Sequence, residues 1–313
     1  MQLASSDHGQ RIAAWEAVAD SCNGAEDDHR RSVWALVESF ANRERSTEVG
    51  LALVRALEMI WLPDAASAVM TWAASPLPDV REAVARALSA TAADPPGGET
   101  IDTLIALTRD PDQDVRDWAT FSLGSQLEVD SQFIRDALAD RLTDPHFDCM
   151  HEGLVGLARR RDARALMPTY RALKAESVGK LAVEAALHLG DPTLLPVLRA
   201  LRSWWDIDPE LLDRAIERCD PEWCRQRHEL CREIAEAVMR RATQAAPHVV
   251  GLDVRVSRGF SDGDDWLDIC YQSAAGKTVE TTCTVSALVR RADGSPERAV
   301  DLVLADLVAE QPS

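Results

Sequence analysis

The sequence predicts a mainly α protein: an α-α superhelix of stacked helical hairpins, followed by a small C-terminal β-β-β-α module. Three observations predict it. A phrase repeats: PDVREAVARAL at 78–88 returns as QDVRDWATFSLG at 113–124 and more loosely as DPHFDCMHEGLVGLA at 144–158, with steps of 35 residues from Asp79 to Asp114 and 34 from Asp114 to Asp148. A period of that size, carried by helical spacing, is what stacked hairpins produce. Asp-Pro pairs punctuate the chain between the repeats, each joining a capping carboxylate to a residue that cannot continue the preceding helix. The composition is 46% hydrophobic with few aromatics, and Ala and Leu lead the apolar set, as helix-on-helix packing favours.

The elements follow in order. Residues 11–20 and 28–41 place Ile12, Trp15 and Val18, then Val33, Trp34, Val37 and Phe40, at three- and four-residue intervals, the spacing of one buried helix face. Helices over 47–61 and 64–74 are separated at Pro63, with Asp64 as the expected cap. From residue 78 the punctuation becomes regular, with helices at 79–92, 100–109 and 113–127 and breaks at 94–100, 143–146 and 190–192. Thirteen or fourteen helices are expected before residue 247, enough hairpins to bury a continuous core. The pattern then changes: 249–257, 265–272 and 278–289 are rich in β-branched residues and predict a three-stranded antiparallel meander. Ser295 and Pro296 open a last helix. The helical body is therefore placed at 1–246, clearest over 60–205, and the α+β module at 247–313, closing the apolar end that a stack of hairpins exposes.

The formal charge is −18, spread as −7 over 1–100, −7 over 101–220 and −4 over 221–313. So negative a surface disfavours nucleic acid, whose non-specific affinity comes from cations that release counterions. It favours a basic protein as partner, and also serves solubility alone. The N-terminus lacks a cationic start followed by an apolar run, and no stretch reaches the length of a membrane helix, which predicts a cytoplasmic protein. Seven cysteines without compact spacing predict free thiols.

At PDVREAVARAL and DPDQDVRDWATFSLG the chain resembles HEAT-like repeat proteins, whose second helix opens with Asp-Val-Arg and continues to Ala and Leu positions. The resemblance extends more loosely through 144–158 and 178–190. It implies that Asp79, Arg81, Asp114 and Arg116 join an intramolecular ladder between stacked repeats. The third copy departs from the pattern, with Cys149 and Met150 in place of Val-Arg. HEAT-like repeats occur in scaffolds, adaptors, bilin lyases and one class of DNA glycosylases, so the resemblance implies architecture and leaves function open.

Candidate chemistry gathers in a few places. His146, Asp148, Cys149, His151 and Glu152 cluster around the start of a repeat's second helix. As an enzyme site, His151 and Glu152 would serve as acid and base and Cys149 as a thiol at a helix N-terminus. As a binding site, His146, Asp148, His151 and Glu152 would touch a partner, the favoured reading of the two. Trp204 and Trp205 are a second partner-contact candidate, because adjacent indoles cannot both enter one helix stripe. Cys219, Cys224, His228 and Cys231 have ligand types and partly helical spacing for a metal, but Cys231 also belongs to an apolar stripe, and packing is preferred. Asp110, Asp112, Asp114 and Asp117 lack the glycine and terminal glutamate of a calcium loop and are read as caps and ladder residues, and the 261–265 acidic run as a hairpin turn. Arg159, Arg160 and Arg161 fall at a helix C-terminus, where cations complement the dipole. Phosphate loops, nucleophile elbows, zinc-protease motifs and dinucleotide fingerprints are absent, and no cofactor is expected. The leading expectation is a non-enzymatic scaffold or adaptor, in its most concrete form an immunity- or antitoxin-like inhibitor that captures a basic protein. The alternatives are a lyase or hydrolase using the 146–152 cluster, and a C-terminal module whose strand edges add a partner's peptide.

Overall fold

The computed structural model describes residues 2–203, 207–246, 249–258, 265–272 and 277–309. Fourteen α-helices precede residue 247 among the described residues. They are α1 (His8–Cys22), α2 (Asp27–Ala41), α3 (Thr47–Ile60), α4 (Ala66–Met70), α5 (Pro78–Ala90), α6 (Gly98–Leu107) and α7 (Gln113–Phe121). The series continues with α8 (Gln132–Arg141), α9 (Phe147–Arg159), α10 (Leu166–Leu173), α11 (Lys180–Leu189), α12 (Leu195–Ala200), α13 (Pro209–Cys219) and α14 (Pro221–Ala245). Three strands, β1 (Val250–Arg258), β2 (Asp265–Gln272) and β3 (Thr278–Thr284), and helices α15 (Val285–Arg291) and α16 (Pro296–Ala309) complete the chain. None of the described helices is long and apolar enough to cross a membrane, and none of the seven cysteines is in a disulfide.

The chain divides into two compact units, Met1–Ala185 and Ala186–Ser313. The change of sequence pattern at 246/247 marks where strands begin, whereas the packing boundary falls earlier because α14 buries Cys231, Ile234 and Val238 in one core with the sheet. In that core Leu267, Ile269 and Tyr271 alternate inward along β2, the period-two signature of a half-buried strand. The sheet is antiparallel in the order β1-β2-β3. The third expected strand ends early: Thr284 Oγ1 accepts a hydrogen bond from Ala287 N at 3.3 Å and caps α15, so 285–289 are helical. A local cap outcompetes the β-branched run here. Likewise Asp64 lies within a 3₁₀ turn, Pro63–Ala65, whose N-cap is Leu62, and does not cap it.

In the first unit the second helices of successive hairpins, α3, α5, α7 and α9, pack one on the next. Val80, Val84 and Leu88 of α5 and their counterparts Val115, Ala119 and Leu123 one repeat later are fully buried. Asp112 caps α7 by accepting from Asp114 N and Val115 N, and Ser131 caps α8 by accepting from Ile134 N, but the Asp-Pro aspartates Asp110 and Asp144 are not N-caps: the N-cap of α9 is His146, which makes no side-chain capping bond. The inter-repeat ladder exists, but with different acceptors from those expected. Arg81 Nε and Nη2 donate to Asp110 Oδ2 and Oδ1 at 2.7 and 2.8 Å, and Nη1 to Ser75 O at 2.8 Å. Arg116 Nε and Nη2 donate to Asp144 Oδ2 and Oδ1 at 2.9 and 3.0 Å, and Nη1 to Asp110 O at 2.9 Å. The acceptors are thus the aspartates of the turns that precede the next hairpin's second helix. Asp79 and Asp114 make none of the ion pairs among the described residues. Short carboxylates in the first turn stay by their own helix dipole, while the long guanidinium fork spans a repeat.

A close backbone approach joins α7 to α9. Beyond Phe121 the chain widens into a π-helical segment, Ser122–Gln126, whose Gly124 backbone meets Gly156 of α9. A Cβ on Gly156 would lie 2.7 Å from Gly124 Cα and 3.0 Å from a Leu138 methyl, and one on Gly153 would lie 2.9 Å from Leu138 O. Arg160 clamps this step. Only 3% exposed, it donates through Nη1 to Gly124 O and Gly156 O, and through Nη2 to Leu123 O, Leu127 O and Val129 O, all at 2.7–3.3 Å. The arginine run therefore caps a neighbouring repeat's helix end: Arg159 Nη1 likewise donates to Ser125 O. Burial lowers the Arg160 pKa to about 10, so it remains charged at neutral pH.

Two substitutions test this step by urea unfolding. Gly156→Ala has no flexible neighbour to displace at Gly124 and is expected to destabilise by about 1–3 kcal/mol. Arg160→Met, which strips a charged donor from several buried carbonyls, is expected to cost about 3 kcal/mol, with Arg160→Lys restoring only part because an ammonium lacks the planar fork.

Candidate functional site

The repeat offset lets equivalent positions be compared step by step along α5, α7, α9 and α11. On α5, Arg86 neutralises the surface from within: its Nη2 lies 3.1 Å from Glu58 Oε2, its Nη1 3.4 Å from Glu82 Oε1, and its guanidinium 5.3 Å over the Trp118 ring. One repeat on, 35 residues later, the position of Arg86 is held by Phe121, and 34 residues beyond that by buried Val155. The carboxylates nevertheless continue, with Asp117 on α7, Asp148 and Glu152 on α9 and Glu184 on α11. Asp148 acts on Asp117, and Asp117 and Glu184 act on Glu152.

The consequence is electrostatic. Burial, then the charge of Asp148, pushes the Asp117 carboxyl up to about 6, with His146 opposing. Burial, then Asp117 and Glu184, pushes Glu152 up to about 7, and its hydrogen bond from Ser125 Oγ, at 3.4 Å, offsets this only in part. Glu82 is raised as well, by burial, although Arg86 pulls the other way. At the centre of this column Asp117, His146 and Cys149 bring one donor atom each to within 4.8 Å of one another. Asp117 Oδ1 and His146 Nδ1 are buried and have no hydrogen-bond partner. His146 is the N-cap residue of α9 and makes no side-chain capping bond, though its own backbone N–H is held by Asp144 Oδ1 at 3.0 Å. Cys149 is fully buried and its thiol donates to Gln113 O at 3.4 Å. Burial and the charges of Asp144 and Asp117 push that thiol up to about 12, so a helix N-terminus does not activate it as a nucleophile.

The 146–152 cluster is thus split. His146, Asp148, Cys149 and Glu152 belong with Asp117, while His151, 3% exposed, turns to the other side. There its Nδ1 bonds Phe147 O at 2.9 Å, its ring lies 3.9 Å from that of Phe147, and it lines a cavity of about 250 Å³ with Leu142, Leu154 and Pro168. The expected His151–Glu152 acid–base pair is not formed, because adjacent helical residues project about 100° apart. The four residues Cys219, Cys224, His228 and Cys231 are not brought together either. Cys219 donates to Ala186 O, Cys224 to Arg218 O, Cys231 lies in the sheet core, and His228 lines a surface groove with Val254 and Val256. Trp204 and Trp205 lie outside the described residues, as do positions 261–264 of the acidic turn. Sequence reasoning placed Asp117 among capping residues and passed over Glu82 and Glu184. Comparing Arg86 with Phe121 at the repeat offset is the signal that isolates them.

Comparison with known proteins bears on the fold of this region. The family model for HEAT repeats matches residues 35–124, from α2 to the π-helical segment. Residues 35–124 of the chain are HEAT repeats. Over 119 residues it is 39% identical to Protein YibA of Escherichia coli strain K12, and equally to that of E. coli O157:H7. That stretch is 38% of this chain and spans 42%, about two fifths, of the length of those relatives. An X-ray structure of the E. coli YibA protein superposes with a TM-score of 0.54 and 27% identity, over 69% of this chain and 77% of that one. Within the HEAT match lie Glu82, Arg86 and Asp117; His146, Cys149, Glu152 and Glu184 extend the column beyond it.

The raised carboxyls make stability depend on pH in a defined direction. The native protein holds protons on Asp117 and Glu152 that the unfolded chain has released above its ordinary carboxyl range near 4. That contribution is complete below the unfolded values and is lost as pH rises through 6 and 7. Between pH 8 and 5.5 the urea midpoint is therefore expected to rise. The double variant Asp117→Asn, Glu152→Gln is expected to flatten that rise and to be more stable at pH 8 by on the order of 1–2 kcal/mol after solvent screening.

Proposed function

We propose that this protein is a non-enzymatic HEAT-repeat scaffold that binds a basic segment of another protein along the carboxylates of α5, α7 and α9. The observation that carries this reading is the switch between adjacent repeats. Arg86 occupies the first step from inside, paired with Glu58 and Glu82 and stacked on Trp118, whereas the next step keeps Asp117 and Glu152 and replaces the arginine with Phe121. A partner's lysine or arginine supplied at that step meets the same kind of surroundings that Arg86 meets in the chain itself. The net charge of −18 adds long-range attraction for a cationic partner and repulsion for nucleic acid. An inhibitor of the immunity or antitoxin type, holding a basic enzyme, is one specific form this activity takes.

The test is binding of a fluorescent lysine- and arginine-rich peptide of about ten residues, followed by anisotropy against salt and pH. Affinity should fall steeply with salt. It should also fall as pH drops from 8 to 5.5, because Asp117 and Glu152 lose their charge there. Asp117→Asn with Glu152→Gln should weaken binding at least about tenfold at pH 8, the equivalent of one or two charge-assisted contacts. A control pair distant in sequence, Glu236→Gln with Asp301→Asn, should change it little. Equal effects of the two pairs would reduce the interaction to bulk charge and remove the site.

A further inference from the structure

We propose that Asp117, His146 and Cys149 form a binding site for a single divalent transition-metal ion of the zinc type. The donor set is one carboxylate oxygen, one imidazole nitrogen and one sulfur, the mixture that zinc and its neighbours accept and that calcium or magnesium does not select. The two ligands of α9 are three residues apart across its N-cap and first turn, and Asp117 comes from the second helix of the preceding repeat. The close approach of α7 and α9 at Gly124 and Gly156 brings these helices together. Donor atoms around a tetrahedral zinc stand roughly 3.3–3.8 Å apart, given bonds of about 2.0–2.3 Å. The three here lie within 4.8 Å of one another, so side-chain rotation of about 1 Å closes the set.

A second, independent feature points the same way. Asp117 Oδ1 and His146 Nδ1 are both buried without a hydrogen-bond partner. An unmatched carboxylate oxygen and an unmatched imidazole nitrogen on neighbouring residues are groups that one cation satisfies together. Asp148, Asp114 and Asp144 all act on Asp117 and set a field that attracts positive charge. Asp117 and His146 keep part of their surface in water, which gives an ion a way in. On binding, the Cys149 S–H bond breaks, its proton leaves to solvent, and the sulfur donates its electron pair to the metal. Three protein ligands leave a fourth position for water or for a donor atom of a partner, which distinguishes this from a closed structural site. Asp117 is shared with the basic-partner reading, but His146 and Cys149 carry none of the negative charge on which that reading depends, so substituting them tests the metal site separately.

The experiment is titration of the metal-free, reduced, full-length protein with Co²⁺, whose thiolate charge-transfer absorption reports a cysteine ligand. One equivalent is expected to bind with that absorption. Cys149→Ser should abolish the band, and His146→Gln should weaken Co²⁺ affinity at least about tenfold. Cys224→Ser should leave both unchanged. His146→Gln alters a partly exposed cap position that makes no side-chain capping bond, and so keeps the test decisive if Cys149→Ser fails to fold. Absence of a thiolate band at one equivalent, or a band and affinity unchanged in His146→Gln, would overturn the site. Binding of the basic peptide by the metal-free His146→Gln protein should match that of the parent, so loss of either property is read separately.

Discussion

The contact on which the first unit depends is the backbone-to-backbone approach of α7 and α9. Two helices packed through ordinary side chains lie 8–10 Å apart. Here Gly124 faces Gly156, and Gly153 lies against the end of α8, so the carbonyls of one helix end come within reach of a side chain from the next repeat. Arg160 fills that opening, and its planar fork serves carbonyls of the π-helical turn, Leu123 O and Gly124 O, and of the loop that follows it, Val129 O. A buried guanidinium is costly unless its donors are used, and the glycines are what let them be used. The same proximity places Asp117 near the N-terminus of α9, and thereby creates the acidic step.

Charge is divided between two duties within each repeat. Arg81 and Arg116, at the start of α5 and α7, are spent on Asp110 and Asp144, fastening one hairpin to the next with bidentate pairs. Half a helix further along, a second tier of carboxylates is left to face outward. On α5 an internal arginine answers it; among the described residues no ion pair involves Asp117 of α7 or Glu152 of α9, and both are held partly buried beside like charges. Such an arrangement opposes folding, since the ionised forms are both desolvated and mutually repelled. This tension, retained at one step and relieved at the adjacent one, is the feature on which the proposed basic-partner reading rests.

The hairpin architecture was legible in the sequence because a helix's buried stripe, its capping aspartate and its proline stop are all local features, repeated at 34- and 35-residue steps. Thus the second helices of the clear repeats, the capping by Asp112 and the meander of three strands all follow from residue order. The end of β3 did not, because Thr284 as a cap and the β-branched residues around it argue in opposite directions over the same few positions. Arg81 and Arg116 were legible as ladder residues, while their acceptors depended on how far a guanidinium reaches across a repeat. The histidines divided for a related reason: His146 and His151 are five residues apart, but helical rotation sends one toward α7 and the other toward a cavity beside α10.

The sequence by itself therefore determined the repeat unit, its punctuation, its acidity and the types of side chain at each position, since these need only the chain's own periodicity and composition. Only the tertiary structure decided that Asp117 meets His146 and Cys149, that Arg160 spans a neighbouring helix end, and that Glu152 lies among carboxylates instead of beside His151. Those relations depend on the distance and rotation between one repeat and the next. That geometry is set by glycine contacts and buried hydrogen bonds between residues some 30 positions apart, and no local pattern records it.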